Sequence, residues 1–202
     1  MISVIIPSYN SLATLNQCLE GVRSSTYADY ECIVVDDGSS DGSIALAKEF
    51  SYQVIELSGG PRGPAHARNE GAKIARGDIL FFIDSDVVIH PETLQIAAEA
   101  FETSPETGAL FGSYDETPSE GEFISQYKNL LHHYVHQQAH ENASTFWSGC
   151  GAIRREVFFK VGGFDAARYP RPRIEDIELG LRMRSAGYEI KLNKAVQAKH
   201  LK

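Results

Sequence analysis

Residues 79–83, Ile-Leu-Phe-Phe-Ile, run without interruption into Asp84-Ser85-Asp86. A segment apolar at every position, with no polar alternation, suits a strand covered on both faces, and hence a parallel sheet between layers of helices. Ligands of such sheets bind beyond the carboxyl ends of the strands, where this acidic pair emerges. Residues two apart in an extended segment point to one side, so Asp84 and Asp86 can face one divalent cation. The alternative is a pair that caps the next helix or sits solvated in a loop. Two anions so close repel each other unless a cation or proton joins them.

Similar runs at residues 3–7, 31–35 and 53–57 are spaced by segments of helical period, giving a βαβα order. Leu12, Leu15, Leu19 and Val22 recur at three and four residues behind candidate caps at Asn10 and Ser11, which predicts the first helix. Turn chemistry at Ser40-Asp41-Gly42-Ser43 precedes a second over 44–50, and an Ala-rich third covers 63–76. Pro91 opens a fourth, with Leu94, Ala97, Ala98 and Phe101 as its buried stripe. After another strand at 108–111 the pattern changes, and a soft boundary falls near residue 113. Beyond it come a loop at 117–121, a long amphipathic helix through Phe123, Tyr127, Leu130, Leu131 and Tyr134, and an extended stretch at 146–153. A Gly162-Gly163 turn, a basic loop at 168–173 and a helix from Glu175 follow, with Ile174, Ile177 and Leu181 on one face.

The totals narrow the function. At 202 residues and 43% apolar content the chain can fill one large core. A formal charge of −8 argues against a nucleic-acid partner, which requires clustered Lys and Arg. Cys18, Cys32 and Cys150 fit no short metal-ligand spacing and read as reduced thiols. The start carries no secretory signal, and no apolar run approaches the ~20 residues of a spanning helix. A cytoplasmic protein, peripheral to a membrane at most, is the expectation.

Other residues carry chemistry. Hard carboxylates at 84 and 86 suit Mg2+ or Mn2+, which keep positions open for phosphate oxygens. Asp36 and Asp37 follow the second strand and reach the same sheet edge, where they either accept from ribose hydroxyls and a base imide or close an Asx-turn. Asp176, in the first turn of its helix, is kept ionised by the helix dipole and reads either as a general base or as an ordinary helix-start acid. His132, His136 and His140 share a helix face, as a zinc pair or a solvated or acceptor-facing surface. Arg168, Arg171 and Arg173 either grip a phosphate or sit in water, and Trp147 is a sugar platform or core.

Six strings, Ser3-Val4-Ile5-Ile6-Pro7-Ser8-Tyr9-Asn10, Val34-Val35-Asp36-Asp37-Gly38-Ser39, Ala67-Arg68-Asn69-Glu70-Gly71, Asp84-Ser85-Asp86, Gly162-Gly163-Phe164-Asp165 and Glu175-Asp176, resemble glycosyltransferase family 2 in order and spacing. The resemblance implies a GT-A fold, an α/β architecture with a Rossmann-like, mainly parallel sheet flanked by helices and an acceptor-side C-terminal part. It implies a nucleotide-sugar donor, with a UDP-sugar favoured, a Mn2+ or Mg2+ ion, inversion at the anomeric carbon, and a glycan or lipid-linked acceptor at the inner face of a membrane. Residues 1–113 would bind the donor and 114–202 the acceptor. Pro7, Tyr9, Asn10, Asp36 and Asp37 would line the nucleoside pocket, with Arg68, Asp84 and Ser85 beside the donor. Asp86 would bind the metal, Asp84 would face the ribose or the metal's outer sphere, and His200 would complete the metal site. Asp176 would be the base, and Gly149 and Gly151 would flank the acceptor.

Two rival readings have different consequences. An apolar strand before Asp-x-Asp-Val also resembles the nucleophile motif of haloacid-dehalogenase-like phosphohydrolases, although that motif normally opens its domain. A catalytically inactive sugar-nucleotide-binding module would keep the fold without turnover.

Overall fold

The computed structural model describes residues 1–118 and 123–201; of the loop expected at 117–121, residues 119–121 lie outside the described residues. The first half alternates β1 (Ile2–Ser8), α1 (Leu12–Arg23), β2 (Tyr30–Asp36), α2 (Ser43–Glu49), β3 (Gln53–Glu56), α3 (Pro64–Ile74) and β4 (Ile79–Ile83). Then come β5 (Val87–Ile89), α4 (Thr93–Thr103), β6 (Thr107–Tyr114), α5 (Phe123–Gln138), β7 (Cys150–Arg154), α6 (Arg155–Lys160), α7 (Glu175–Ser185) and β8 (Glu189–His200).

All eight strands form one sheet in the order β3-β2-β1-β4-β7-β6-β8-β5. The first four neighbours are parallel, whereas β7 runs antiparallel to both β4 and β6. Residue 113 lies inside β6, and strands from either side of it interleave. Every residue of β1 is buried because both faces of the sheet are covered. Ile2, Val4 and Ile6 pack with Leu15, Leu19 and Val22 of α1 on one side. Ile5, Ile33 and Val35 pack with Ala65, Ala67 and Ala72 of α3 on the other. The ladder of parallel strands ends at Ser8, Asp36 and Asp84, which brings the motifs to one edge.

Three elements escape the sequence pattern. β5 has three residues and α6 six, too short for a periodic signal. β8 alternates Ile190, Leu192, Val196 and Ala198 inward, but a register shift opposite Phe111 and Ser113 breaks the period of two. The stretch expected at 146–153 enters the sheet only from Cys150, because Trp147 to Gly149 turn along the ligand-side edge.

The apolar face of α7 is turned outward. Ile174, Ile177 and Leu181 are exposed, while Glu175, Leu179, Gly180 and Met183 are buried. Gly180 makes this orientation possible, since a Cβ there would press on the Phe146 backbone nitrogen and lie 2.8 Å from the Thr145 carbonyl carbon. Gly180→Ala should therefore lose about 1–2 kcal/mol in urea unfolding, the overpacking outweighing the gain in helix propensity. An unchanged or raised midpoint would show that α7 can move away.

Candidate active site

The carboxyl edge of the sheet opens into a cavity of about 710 Å³, lined by Asp37, Arg68, Asp84, Asp86 and Asp176. Pro7, Tyr9, Ser85 and Gly149 also line it. Asn10, Asp36 and Gly151 do not. Asn10 adopts a left-handed backbone at φ 47° and spends its carboxamide oxygen on the Ser40 N–H at 2.9 Å. Asp36 closes an Asx-turn, accepting from Gly38 and Ser39 N–H at 3.0 and 2.8 Å. Gly151 sits in the sheet opposite Phe82, where a Cβ would meet the Phe146 ring at 2.7 Å.

Asp37 is held by two backbone donors, Arg62 and Gly63 N–H at 2.8 and 2.7 Å, both on Oδ2. Its Oδ1 is buried without a hydrogen-bond partner, as is Oδ1 of Asp36. Buried polar atoms are nearly always partnered, so an orphaned acceptor at a ligand edge marks a place for a donor group. Gly63 has φ +93°, and a Cβ on it would lie 2.5 Å from the Pro170 oxygen. The glycine lets the basic loop close over this wall, bringing Arg171 and Arg173 to the cavity, whereas the Arg168 N–H caps Asp165 at 3.0 Å.

Arg68 is the hub. It is 3% exposed and lies against the Phe164 ring, with Nη2 2.6 Å from Asp84 Oδ1 and Nη1 3.2 Å from Glu175 Oε1. Glu175, itself 5% exposed, accepts the Arg173 N–H on its other oxygen at 2.8 Å. Although 39% of the Asp84 side chain opens on the cavity, burial of the remainder pushes its carboxyl above the usual carboxylate range. Arg68 opposes that rise, and Asp86 and Asp176 add to it.

Asp86 meets His200 from the far end of the chain. Pairing of β5 with β8 sets Val87 opposite His200, and the Leu201 N–H bonds the Asp86 carbonyl at 2.9 Å. This pairing holds His200 in the sheet. His200 Nε2 stands 3.7 Å from Asp86 Oδ2, too far for a hydrogen bond and close enough to share an ion. One carboxylate and one imidazole suit Mn2+ better than the harder Mg2+, with positions left for phosphate oxygens. Among the described residues no third His, Cys, Asp or Glu joins a metal cluster. Asp84 is paired with Arg68, and Asp86 is the acid that lies beside the imidazole.

Asp176 occupies the first turn of α7, where Oδ2 accepts from Ser148 N–H and Oγ at 3.2 and 3.4 Å. Trp147, beside it, lines the cavity and packs on Tyr114 and His132, so it belongs to wall and core at once. The α5 histidines turn inward. His133 and His136 bond the Tyr114 and Gly112 carbonyls at 2.7 and 3.0 Å, and burial pushes the His132 imidazole down to about 3, keeping it neutral. Sequence reasoning missed Glu175 and Asn129 as site residues. Two adjacent acids at a helix start were the available signal for Glu175; the contact of Asn129 with His200 spans 71 positions and leaves none.

A doubly covered sheet with an acid pair at its carboxyl edge, completed by an antiparallel insertion, is the GT-A fold of nucleotide-sugar enzymes. The sequence profile of Glycosyl transferase family 2 matches residues 3–162. The chain belongs to that family. An uncharacterised glycosyltransferase of Haemophilus influenzae is 28% identical over 83% of this chain and 57% of its own length. A mannosyltransferase of Pyrobaculum calidifontis, solved with GDP-Man and Mn2+, superposes with a TM-score of 0.76 at 22% identity, covering 98% of this chain and 56% of its own. S. aureus TarS 1-349 in complex with UDP-GlcNAc gives 0.74 at 21% identity, over 100% of this chain and 58% of its own. This chain thus spans little more than half the length of these relatives. Family membership removes the phosphohydrolase alternative.

Proposed function

We propose that the chain transfers a sugar, with inversion, from a nucleoside-diphosphate donor to an acceptor hydroxyl. The observation that carries this reading is that Asp176 and Asp86 line one cavity, with Arg68 joining their neighbours Glu175 and Asp84. Residues 1–113, joined at the cation site by His200, serve the donor, and the rest of 114–202 the acceptor. Asp37 Oδ1 accepts a base imide or ribose hydroxyl, and an imide fits a UDP-sugar, the donor class bound by TarS. Asp86 and His200 would hold the divalent cation, which would supply positive charge against the departing diphosphate.

Asp176 takes the acceptor proton as the acceptor oxygen attacks the anomeric carbon from the side opposite the diphosphate. The Ser148 N–H keeps Oδ2 turned to the cavity. A direct displacement needs no protein nucleophile, and the Ser148 hydroxyl, which donates to Asp176 Oδ2 at 3.4 Å, is assigned to holding the base. The buried Cys150 thiol is pushed up to about 12 by burial, with Asp84 adding to the shift.

Among the described residues no helix is long and apolar enough to cross a membrane. The outer face of α5 nevertheless exposes Phe123, Ile124, Tyr127, Leu131, Tyr134 and Val135, and the helix has no acidic residue. That face supports a lipid-linked glycan as acceptor and a peripheral position at the cytoplasmic face of a membrane.

The test pairs binding with turnover. UDP with Mn2+ should raise Tm by several degrees, a ligand at a hundred times its Kd adding about 2.7 kcal/mol; GDP and dTDP serve as comparisons. Nucleoside diphosphate should be released only when donor and cation are both present. Release of inorganic phosphate, or of nothing from any donor, would overturn the reading.

A further inference from the structure

Asn129 is the one buried residue that α5 presents among its described residues. A carboxamide in that position is costly unless it is bonded, and most helices bury an apolar side chain there. Asn129 Oδ1 lies 2.8 Å from His200 Nδ1. A carboxamide oxygen only accepts, so Nδ1 carries the ring hydrogen and the neutral imidazole keeps its lone pair on Nε2. Nε2 is the nitrogen turned toward Asp86. The ring is also stacked on Tyr114, with centroids 4.6 Å apart and planes 10° from parallel. His133 and His136 tie α5 to the carbonyls of β6 beside that stack, which fixes the Asn129 backbone as well.

We propose that Asn129 is a positioning residue that sets the tautomer and orientation of His200, so that Nε2 is presented to a divalent cation shared with Asp86. The inference rests on the reading of Asp86 and His200 as the cation site. Histidine ligands as a rule donate their second ring N–H to a fixed acceptor, and loss of that acceptor typically costs about 10–100-fold in metal affinity. Here the acceptor comes from the helix of the acceptor half, so docking of α5 and cation affinity are coupled.

The experiment measures Mn2+ binding in the presence of UDP by electron paramagnetic resonance, together with the His200 tautomer from long-range nitrogen–proton NMR correlations. Wild type should show hydrogen on Nδ1. Asn129→Leu, similar in volume but without an acceptor, should weaken Mn2+ about 10–100-fold and mix the tautomers. Asn129→Asp, which restores an acceptor oxygen, should recover both. Equal Mn2+ affinity in Asn129→Leu and wild type, or hydrogen on Nε2 in wild type, would overturn the proposal; the second result needs no variant to fold. His200→Ala separates the underlying reading. If it binds Mn2+ as wild type does, His200 is no ligand and the cation-site reading fails with the proposal. If it loses Mn2+ while Asn129→Leu does not, only the role of Asn129 falls.

Discussion

Replacing Asp176 by Asn should lower the rate of transfer by about 10²–10⁴ while leaving the affinity for UDP and Mn2+ within about threefold of wild type. The substitution is nearly isosteric. A carboxamide oxygen can still accept the Ser148 N–H that Asp176 Oδ2 accepts at 3.2 Å, so the first turn of α7 has no reason to move. Apart from the bond that Oδ1 accepts from the Ile177 N–H at 2.8 Å, only the capacity to take a proton disappears. Loss confined to kcat marks an interaction made in the transition state. Initial rates of nucleoside diphosphate release, with donor and acceptor saturating, measure the effect, and a rate within a few-fold of wild type would end the assignment of Asp176 as base.

Arg68→Met should cost about 3–5 kcal/mol of stability, the usual result when one partner of a buried ion pair is removed. The loss falls mainly on Glu175, whose side chain is 6% exposed and would keep a carboxylate with no cation beside it. Asp84 is partly open to the cavity and water can recover some of its solvation, so its share is smaller. Arg68→Lys should rescue little, because one ammonium cannot span two carboxylates as the guanidinium fork does. Pairing Arg68→Met with Glu175→Gln should restore much of the loss. Urea midpoints at constant m measure all three variants. A loss under about 1 kcal/mol for Arg68→Met, or simple additivity in the double variant, would show that the cluster is not a unit.

How much was legible varied with the range over which each contact acts. Residues 79–83 announced β4 because a strand covered on both faces has no polar side to disguise it, and the acid pair marked its end. The stripe of Leu15, Leu19 and Val22 did the same for α1, although its first member, Leu12, is exposed. Helical period misleads at α7, where the apolar face of Ile174, Ile177 and Leu181 points outward and a carboxylate goes in. The reason is Arg68, 107 positions away, which makes burial of Glu175 affordable. Local pattern cannot report such a partner. The pocket residues divide the same way. Asp37 and Asp84 follow directly from strand ends, whereas Asn10 and Asp36 turned their side chains to the loop at 38–40, an outcome decided by local turn bonds.

The antiparallel β7, wedged between β4 and β6, carries a further implication. A chain cut near residue 113 would leave β4 with a bare hydrogen-bonding edge of five apolar residues, a template for aggregation. The first segment therefore cannot be lifted out as a free-standing nucleotide module for grafting. Reassortment of this scaffold in evolution or in the laboratory must proceed by changing loops and appendages around an undivided sheet.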